Sequence, residues 1–91
     1  MIEVRLLRNA IALANHRSFA RAALELNISQ PTLSRNIQML EQIVGAKLFD
    51  RLPRTTIATP VGEELLRHAH AVMAATRGLE DGVRQFIGLE S

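Results

Sequence analysis

The chain has 91 residues, of which 47% are hydrophobic, and it carries a formal net charge of +2 at pH 7. This length fits one small domain, because compact domains most often hold about 100–150 residues. The sequence contains no cysteine, which excludes disulfide bonds and thiolate chemistry, and no apolar run reaches the roughly 20 residues that a membrane-spanning helix needs. No signal peptide opens the sequence, so the expected location is the cytoplasm.

The positive charge is concentrated in the middle of the chain. Between residues 17 and 59, six cationic residues stand against three acidic ones, whereas the flanks carry five against six. Ten of the eleven cationic residues are arginine, whose guanidinium forms bidentate contacts with phosphate and guanine. A basic segment between near-neutral ends is typical of a protein that binds a polyanion, although solvated arginines alone also produce this pattern.

Two helices are predicted near the N-terminus, where apolar residues recur at helical spacing. The first extends from Glu3 to Asn15 and turns inward Leu6, Leu7, Ala10, Ile11, Leu13 and Ala14. The residues expected on its outer face are Arg5, Arg8 and Asn9. Ser18 is expected to cap a second helix from Phe19 to about Leu26, because its hydroxyl can accept from an amide of the first turn. The inward residues of that helix are Phe19, Ala22, Ala23 and Leu26.

A third helix is predicted from the N-cap Ser29 to about residue 44, with Pro31 in its first turn and Gly45 as a left-handed C-cap. Its inward stripe consists of Leu33, Ile37, Leu40 and Val44. Only residues 26–29 connect it to the second helix, and Asn27 tolerates the left-handed conformation of a sharp turn. Because so short a connection prevents an antiparallel arrangement, the two helices must cross steeply, as in a helix-turn-helix unit.

The outer face of the third helix has the side chains of a recognition helix. It presents Pro31, Arg35, Gln38 and Gln42, flanked by Thr32, Ser34 and Met39. No acidic residue precedes Glu41 on this helix. Guanidinium and amide groups match the edges of guanine and adenine in the major groove, and the helix N-terminus favours a phosphate. The alternative is an ordinary solvated polar face, which the basic surroundings disfavour.

A two-stranded wing is predicted over about residues 47–58, with strands Leu48–Leu52 and Thr55–Ala58 around a Pro53-Arg54 turn. Arg51 and Arg54 lie in this wing, and no acidic residue occurs from residue 51 to residue 60. These two arginines are therefore predicted to contact phosphates or the minor groove. The alternative is that they are solvated or paired with Asp50.

A long last helix is predicted from the Thr59-Pro60 cap onward. Apolar or small residues recur along it at alternating spacings of four and three, at Leu65, Ala69, Val72, Thr76, Leu79, Val83 and Phe86. This heptad seam predicts pairing with a second helix, and the helix would be roughly 40 Å long. The expected organisation is a winged helix-turn-helix at residues 1–59 followed by a linker helix for dimerisation at residues 60–91.

Catalytic and metal sites are not expected. His68 and His70 point about 160° apart on a helix, so they cannot share a metal ion. Glu63 and Glu64 lie where acidic residues favour the helix dipole, which explains them better than paired catalytic carboxylates do. The sequence has neither a nucleophile elbow nor a glycine-rich phosphate loop. Two functions remain, a dimeric, sequence-specific DNA-binding module and, as the alternative, a winged helix used for protein–protein contacts.

The motifs together resemble the N-terminal domain of LysR-type transcriptional regulators. The resemblance rests on Leu7-Arg8, Ser18-Phe19, Ala22-Ala23, Leu26, Ser29–Arg35, Ile37, Leu40-Glu41, Gly45, Leu48–Arg51 and Thr59–Gly62. It implies a bacterial transcription factor that forms a homodimer through its last helix and binds a pseudo-palindromic duplex. The DNA-facing residues that it implies are Ser29, Gln30, Pro31, Thr32, Ser34, Arg35 and Gln38 of the recognition helix, and Arg51 and Arg54 of the wing.

Three features depart from this family pattern. Ala10 occupies a position where the family usually has an aromatic residue, and the Pro53-Arg54 wing tip is less basic and less glycine-rich than is usual. Family members also carry a larger C-terminal domain that binds a small-molecule effector, and the 91 residues do not contain it. No cofactor is therefore expected in this chain, and the resemblance leaves open a higher oligomer of a full-length protein.

Overall fold

The computed structural model describes residues 1–90 and contains, within them, four helices and one two-stranded antiparallel sheet. The helices are α1 (Val4–His16), α2 (Phe19–Leu26), α3 (Gln30–Val44) and α4 (Pro60–Glu90), and the strands are β1 (Phe49–Arg51) and β2 (Thr56–Ala58). This architecture confirms the predicted mainly α winged helix-turn-helix with a long last helix. Ser91, the last residue of the predicted linker helix, lies outside the described residues.

The helix boundaries follow from local side-chain and backbone chemistry. The Ser18 and Ser29 hydroxyls each accept a hydrogen bond, at 3.2 Å, from the amide three residues later, as predicted for N-caps. Three residues with left-handed backbone, Arg17, Asn27 and Gly45, end α1, α2 and α3 respectively. The left-handed Asn27 and Gly45 were expected, whereas α1 extends one residue further than predicted, to His16, with Arg17 as its C-cap.

One hydrophobic core joins the three helices, the wing and the base of α4. Its largest fully buried side chains are Leu6, Leu13, Leu33, Leu40 and Leu48. Leu66 and Ala69 of α4 belong to the same cluster, with exposed fractions of 7% and 1%. The first turns of α4 therefore pack with the winged helix-turn-helix, so the division predicted after residue 59 is not a break in the core.

Two predicted orientations are wrong, both because of contacts between elements. Asn9, expected on the outer face of α1, is buried, and its Oδ1 accepts a 2.8 Å hydrogen bond from Nδ2 of Asn36 on α3. Arg5 in turn donates to Oδ1 of Asn36 at 3.3 Å. A buried amide is tolerated there because it is hydrogen-bonded. Val44, expected in the inward stripe of α3, is exposed because it lies at the end of the helix, beyond the core.

The wing is a short hairpin tied to the start of α4. Its register pairs Phe49 with Ala58 and Arg51 with Thr56. The strands are shorter than predicted, with three residues each. The Thr59 side chain accepts from the Gly62 amide at 3.0 Å and so caps α4 as expected. Helix α4 has 31 residues, and its C-terminal half extends away from the core.

Candidate nucleic-acid interface

The outer face of α3 is a continuous polar surface. Pro31, Arg35, Gln38 and Gln42 are all exposed, as predicted, and Thr32 and Ser34 are half-buried along its edges. The core contacts of Leu33, Ile37 and Leu40 hold the opposite side of the helix. Within residues 1–90, the four residues at the centre of this polar face are therefore left exposed, and the wing contacts only its edge, at Ser34.

The first turn of α3 carries a chain of hydrogen bonds. The Ser29 hydroxyl donates to Oγ1 of Thr32 at 2.9 Å, and the Arg35 guanidinium donates to the same oxygen at 3.4 Å. This long bond uses only one of the five N–H donors of Arg35. The helix N-terminus, with its orphan amides and positive dipole end, lies beside the arginine. Arg35 is thus held near the start of α3 with most of its donors available.

Arg51 connects the wing to both helices of the helix-turn-helix. Its Nη2 donates to Oγ of Ser34 on α3 at 2.8 Å, and its Cζ lies 3.7 Å from the centroid of the Phe19 ring at the start of α2. The alternative in which Arg51 pairs with Asp50 is not found in residues 1–90. Phe19 was predicted only as a core residue, and its contact with Arg51 could not be found from sequence because the two residues are far apart in the chain.

The tip of the wing projects a second arginine. Arg54 lies in the turn between β1 and β2 and is exposed. Within the described part of the chain it has neither an ion pair nor a side-chain hydrogen bond. The structure therefore leaves its guanidinium available to a ligand, in contrast to the anchored Arg51.

The acidic residue nearest the polar face of α3 is engaged in a hydrogen bond within the fold. Glu41 is half-buried, and its Oε2 accepts a 2.8 Å hydrogen bond from the amide of Leu48, just before β1. Between α3 and the wing lies a cleft of about 310 Å³ lined by Ser34, Gln38, Lys47 and Arg51 among others. The carboxylate thus fixes the start of the wing relative to the end of α3.

The residues of the predicted dimer seam on α4 differ in their exposure to solvent. Leu79, Val83 and Phe86 are 66%, 50% and 64% exposed, whereas Ala69 is 1% exposed and belongs to the core of its own chain. Leu65 and Thr76 are half-buried and Val72 is exposed. Leu79, Val83 and Phe86, in the C-terminal half, are therefore the most exposed residues of the seam.

An apolar groove of about 470 Å³ lies at the other end of α4. It is lined by Ile2, Val4, Leu7, Val44, Val61, Leu65, Ala69 and Val72, with Glu64 and His68 also on its lining. The exposed Val44, which the sequence pattern placed in the core, lines this groove. The groove lies apart from α2, β1 and β2, none of which contributes a lining residue.

One histidine of α4, His68, takes part in a surface pair. Glu64 accepts from Arg67 at 2.6 Å and lies 3.0 Å from Nε2 of His68. The hydrogen bond from Arg67, followed by the one from His68, lowers the pKa of Glu64 from its ordinary value. Among residues 1–90, no group of three or more metal-binding side chains comes together. In the same range, no helix is long and apolar enough to cross a membrane.

Comparison with known proteins identifies the family. Residues 4–63 match the model of bacterial regulatory helix-turn-helix proteins of the lysR family. The chain belongs to the LysR family. It is 45% identical over 91 residues to an SDS degradation transcriptional activation protein of a Pseudomonas species, and it spans 30% of that protein's length. It is 35% identical over 83 residues to the transcriptional regulator CfxR of Cupriavidus necator, of which it spans 26%.

Solved LysR-type structures share the whole fold. The DNA-binding domain of BenM, solved with benA site 1 DNA, superposes with a TM-score of 0.89 at 33% identity and covers 93% of this chain and 96% of that one. The CbnR DNA-binding domain, also solved with DNA, gives a TM-score of 0.87 at 32% identity, covering 92% of this chain and 97% of that one. The described residues therefore have the fold of a LysR-type DNA-binding domain, as the motifs predicted.

Proposed function

We propose that this chain binds duplex DNA sequence-specifically, with α3 in the major groove, and so regulates transcription in the bacterial cytoplasm. The observation that carries this proposal is the uncovered polar face of α3, where Arg35 stands beside the helix N-terminus with most of its donors available. The similarity to BenM and CbnR domains solved with DNA supports it. The relatives are transcriptional regulators, which supports a regulatory role rather than an enzymatic one.

The proposed DNA-binding side chains form two groups, those that would contact bases and those that would contact the DNA backbone. Arg35 and Gln38 project from the centre of the polar face, where they would reach base edges in the groove. Residues 29–32 surround the first turn of α3, where amides and hydroxyls suit a phosphate. Arg51 and Arg54 of the wing would lie along the backbone or an adjacent minor groove. Ser34 lies between these two groups.

Two complementary apolar surfaces on α4 support homodimerisation. The groove at its base and the open seam at its C-terminal end lie at opposite ends of one helix. In a twofold interface each copy presents the same surface to the other. If the two helices run antiparallel, the seam of each chain covers the groove of its partner. A parallel pair would leave both grooves open to water.

The seam side chains have enough apolar bulk for a stable contact. Burying Leu79, Val83 and Phe86 would contribute roughly 1.5–3 kcal/mol for each side chain. Two copies of α3 would then face the same side of a duplex, and the half-sites would lie about one helical turn, or a multiple of it, apart. This arrangement would recognise a pseudo-palindromic site.

Paired arginine substitutions test the readout. Binding sites are first selected from a random duplex pool, and affinities for a selected and a scrambled duplex are then measured over a range of salt concentrations. Arg35→Ala should cost about 1–3 kcal/mol per base contact on the selected duplex and relax the preference at one base pair per half-site. Arg54→Ala should weaken binding to both duplexes alike. It should also flatten the log–log salt dependence by about 0.9 for each lost phosphate contact, two per dimer.

The roles would be reversed if Arg35→Ala weakened both duplexes equally while Arg54→Ala affected only the selected one. The alternative function, a winged helix used for protein contacts, predicts no salt-dependent binding to duplex DNA by the unaltered chain at all. The same titration therefore separates the two functions as well as the two arginines.

Substitutions on opposite faces of α4 test the dimer. Leu79→Asp places a charge in the seam and should give monomers with most of the palindrome affinity lost. Ala74→Asp places the same charge on the opposite face of the helix, at an exposed position, and should leave the dimer intact. Sedimentation equilibrium measures both. A monomeric unaltered chain at high micromolar concentration would contradict the dimer.

A further inference from the structure

Three separate elements meet at a single guanidinium group. Arg51 is the last residue of β1, Phe19 is the first residue of α2, and Ser34 lies in the first half of α3. The face of the guanidinium rests on the Phe19 ring at 3.7 Å, and one edge donates to Oγ of Ser34 at 2.8 Å. A cation at this distance from a ring centroid is attracted by the ring quadrupole.

These contacts leave part of Arg51 open. One of its five N–H donors goes to Ser34, the stacked face is held by the ring, and the residue remains exposed. The hydroxyl of Ser34 acts as the acceptor in this bond, so its own hydrogen is left to donate elsewhere. Both groups therefore have donors available at the cleft between α3 and the wing, which Glu41 and Asp50 also line.

A long side chain that is already fixed in its bound orientation contributes more to affinity than a mobile one. A free arginine on a hairpin samples many rotamers, and immobilising it in a complex costs conformational entropy. Phe19 removes much of that freedom in the unbound protein. The benefit for a ligand is therefore preorganisation rather than an additional contact, because the ring itself needs no contact with the ligand.

We propose that Phe19 is a positioning residue for DNA binding, which holds the Arg51 guanidinium between the wing and α3 so that its open edge donates to a backbone phosphate. This inference rests on the proposed function, since it assumes that the wing faces duplex DNA. It adds to the predicted DNA-binding set a residue that belongs to α2 and touches no base. It also explains why an aromatic residue stands half-buried directly after the Ser18 cap.

A double-mutant cycle tests the coupling between the two residues. Affinity for a duplex selected by the unaltered chain is measured for Phe19→Leu, Arg51→Gln, the double variant and Phe19→Tyr. Phe19→Leu keeps apolar bulk and removes the ring, and it should weaken binding about 2- to 10-fold per bound subunit, the equivalent of immobilising one long side chain. Phe19→Tyr keeps the ring and should bind within about twofold of the unaltered chain. In the Arg51→Gln background, Phe19→Leu should have no further effect.

The outcomes separate this inference from the function on which it rests. If Phe19→Leu weakens binding equally with and without the arginine, the ring does not act through Arg51 and the inference is overturned, while the wing contact stands. If Arg51→Gln leaves affinity unchanged, the phosphate contact itself is wrong and the inference fails with it. Circular dichroism checks that each variant is folded, and Phe19→Met replaces Phe19→Leu in the cycle if the leucine variant is not.

A second measurement needs no DNA. In the free protein, the ring current of Phe19 should shift the side-chain protons of Arg51 upfield in the NMR spectrum. The shift should persist in Phe19→Tyr and vanish in Phe19→Leu. Arg51 proton shifts that are the same with and without the ring would show that the stacking does not exist in solution, and would overturn the inference.

Discussion

Alanine at Gly62 should destabilise the fold strongly, because the structure leaves no room for a side chain there. A Cβ at this position would overlap the carbonyl oxygen of Leu48, and it would lie 3.0 Å from the carbonyl carbon and 3.3 Å from Cβ of Ala58. That carbonyl is held in place, since it accepts a 2.9 Å hydrogen bond from the Thr59 amide. None of these neighbours is the end of a flexible side chain, so α4 itself would have to move.

The magnitude follows from two opposing effects. Overpacking of a filled site typically costs about 1–3 kcal/mol, and the backbone overlap at Gly62 puts it at the upper end of that range. Replacing a helical glycine with alanine returns about 1 kcal/mol. The net loss should be about 2 kcal/mol, which lowers the melting temperature by roughly 8–16 °C in a domain of this size.

Gly78 provides a matched control in the same helix. Nothing lies within 4 Å of a Cβ built there, and the residue is exposed on a face away from the seam. Gly78→Ala should therefore stabilise the protein by up to about 1 kcal/mol through helix propensity alone. Both variants are melted by circular dichroism at one protein concentration, because dimerisation makes stability concentration-dependent. A Gly62→Ala variant as stable as the unaltered protein would show that α4 does not pack against the wing as described.

Three further predictions concern stability and titration. Ser29→Ala should cost about 1 kcal/mol in urea denaturation through loss of the α3 cap, and an unchanged midpoint would mean that this hydroxyl caps nothing. Asn9→Ala should cost about 0.5–1.5 kcal/mol because it removes the hydrogen bond to Asn36, and additive losses with Asn36→Ala would contradict that link. By carboxyl NMR, the pKa of Glu64 should lie below its ordinary value and rise toward it in Arg67→Ala. Because the folded pKa is the lower one, the stabilisation by Glu64 is present at neutral pH and is lost as the pH falls through that value. An unchanged midpoint in Arg67→Ala would contradict the pairing.

The parts of the fold that depend on neighbouring residues could be predicted from the sequence. The caps at Ser18, Ser29 and Thr59 and the left-handed turns at Asn27 and Gly45 each arise from one residue and its first helical turn. The polar face of α3 follows from helical periodicity, which fixes the side of a helix that meets the core.

The errors arose where distant elements meet. Asn9 was predicted as a surface residue, because nothing near it in the chain indicates the hydrogen bond that it accepts from the side-chain amide of Asn36. A heptad pattern shows which face of α4 is apolar, but it does not show how far along the helix the core of the same chain covers that face. Ala69 was therefore placed in the seam, although it lies in the core. Phe19 was recognised as apolar, but its contact with Arg51 depends on how the wing folds back.

The central claim, that two copies of α3 read bases from the major groove, is tested most directly by methylation interference on a selected duplex. Methylation of guanine N7 blocks the major groove, whereas methylation of adenine N3 blocks the minor groove. We expect N7 interference in two clusters on one face of the duplex, about one helical turn or a multiple of it apart, and its loss at one position per half-site with Arg35→Ala. Interference confined to adenine N3, or a single cluster, would contradict readout by a pair of recognition helices.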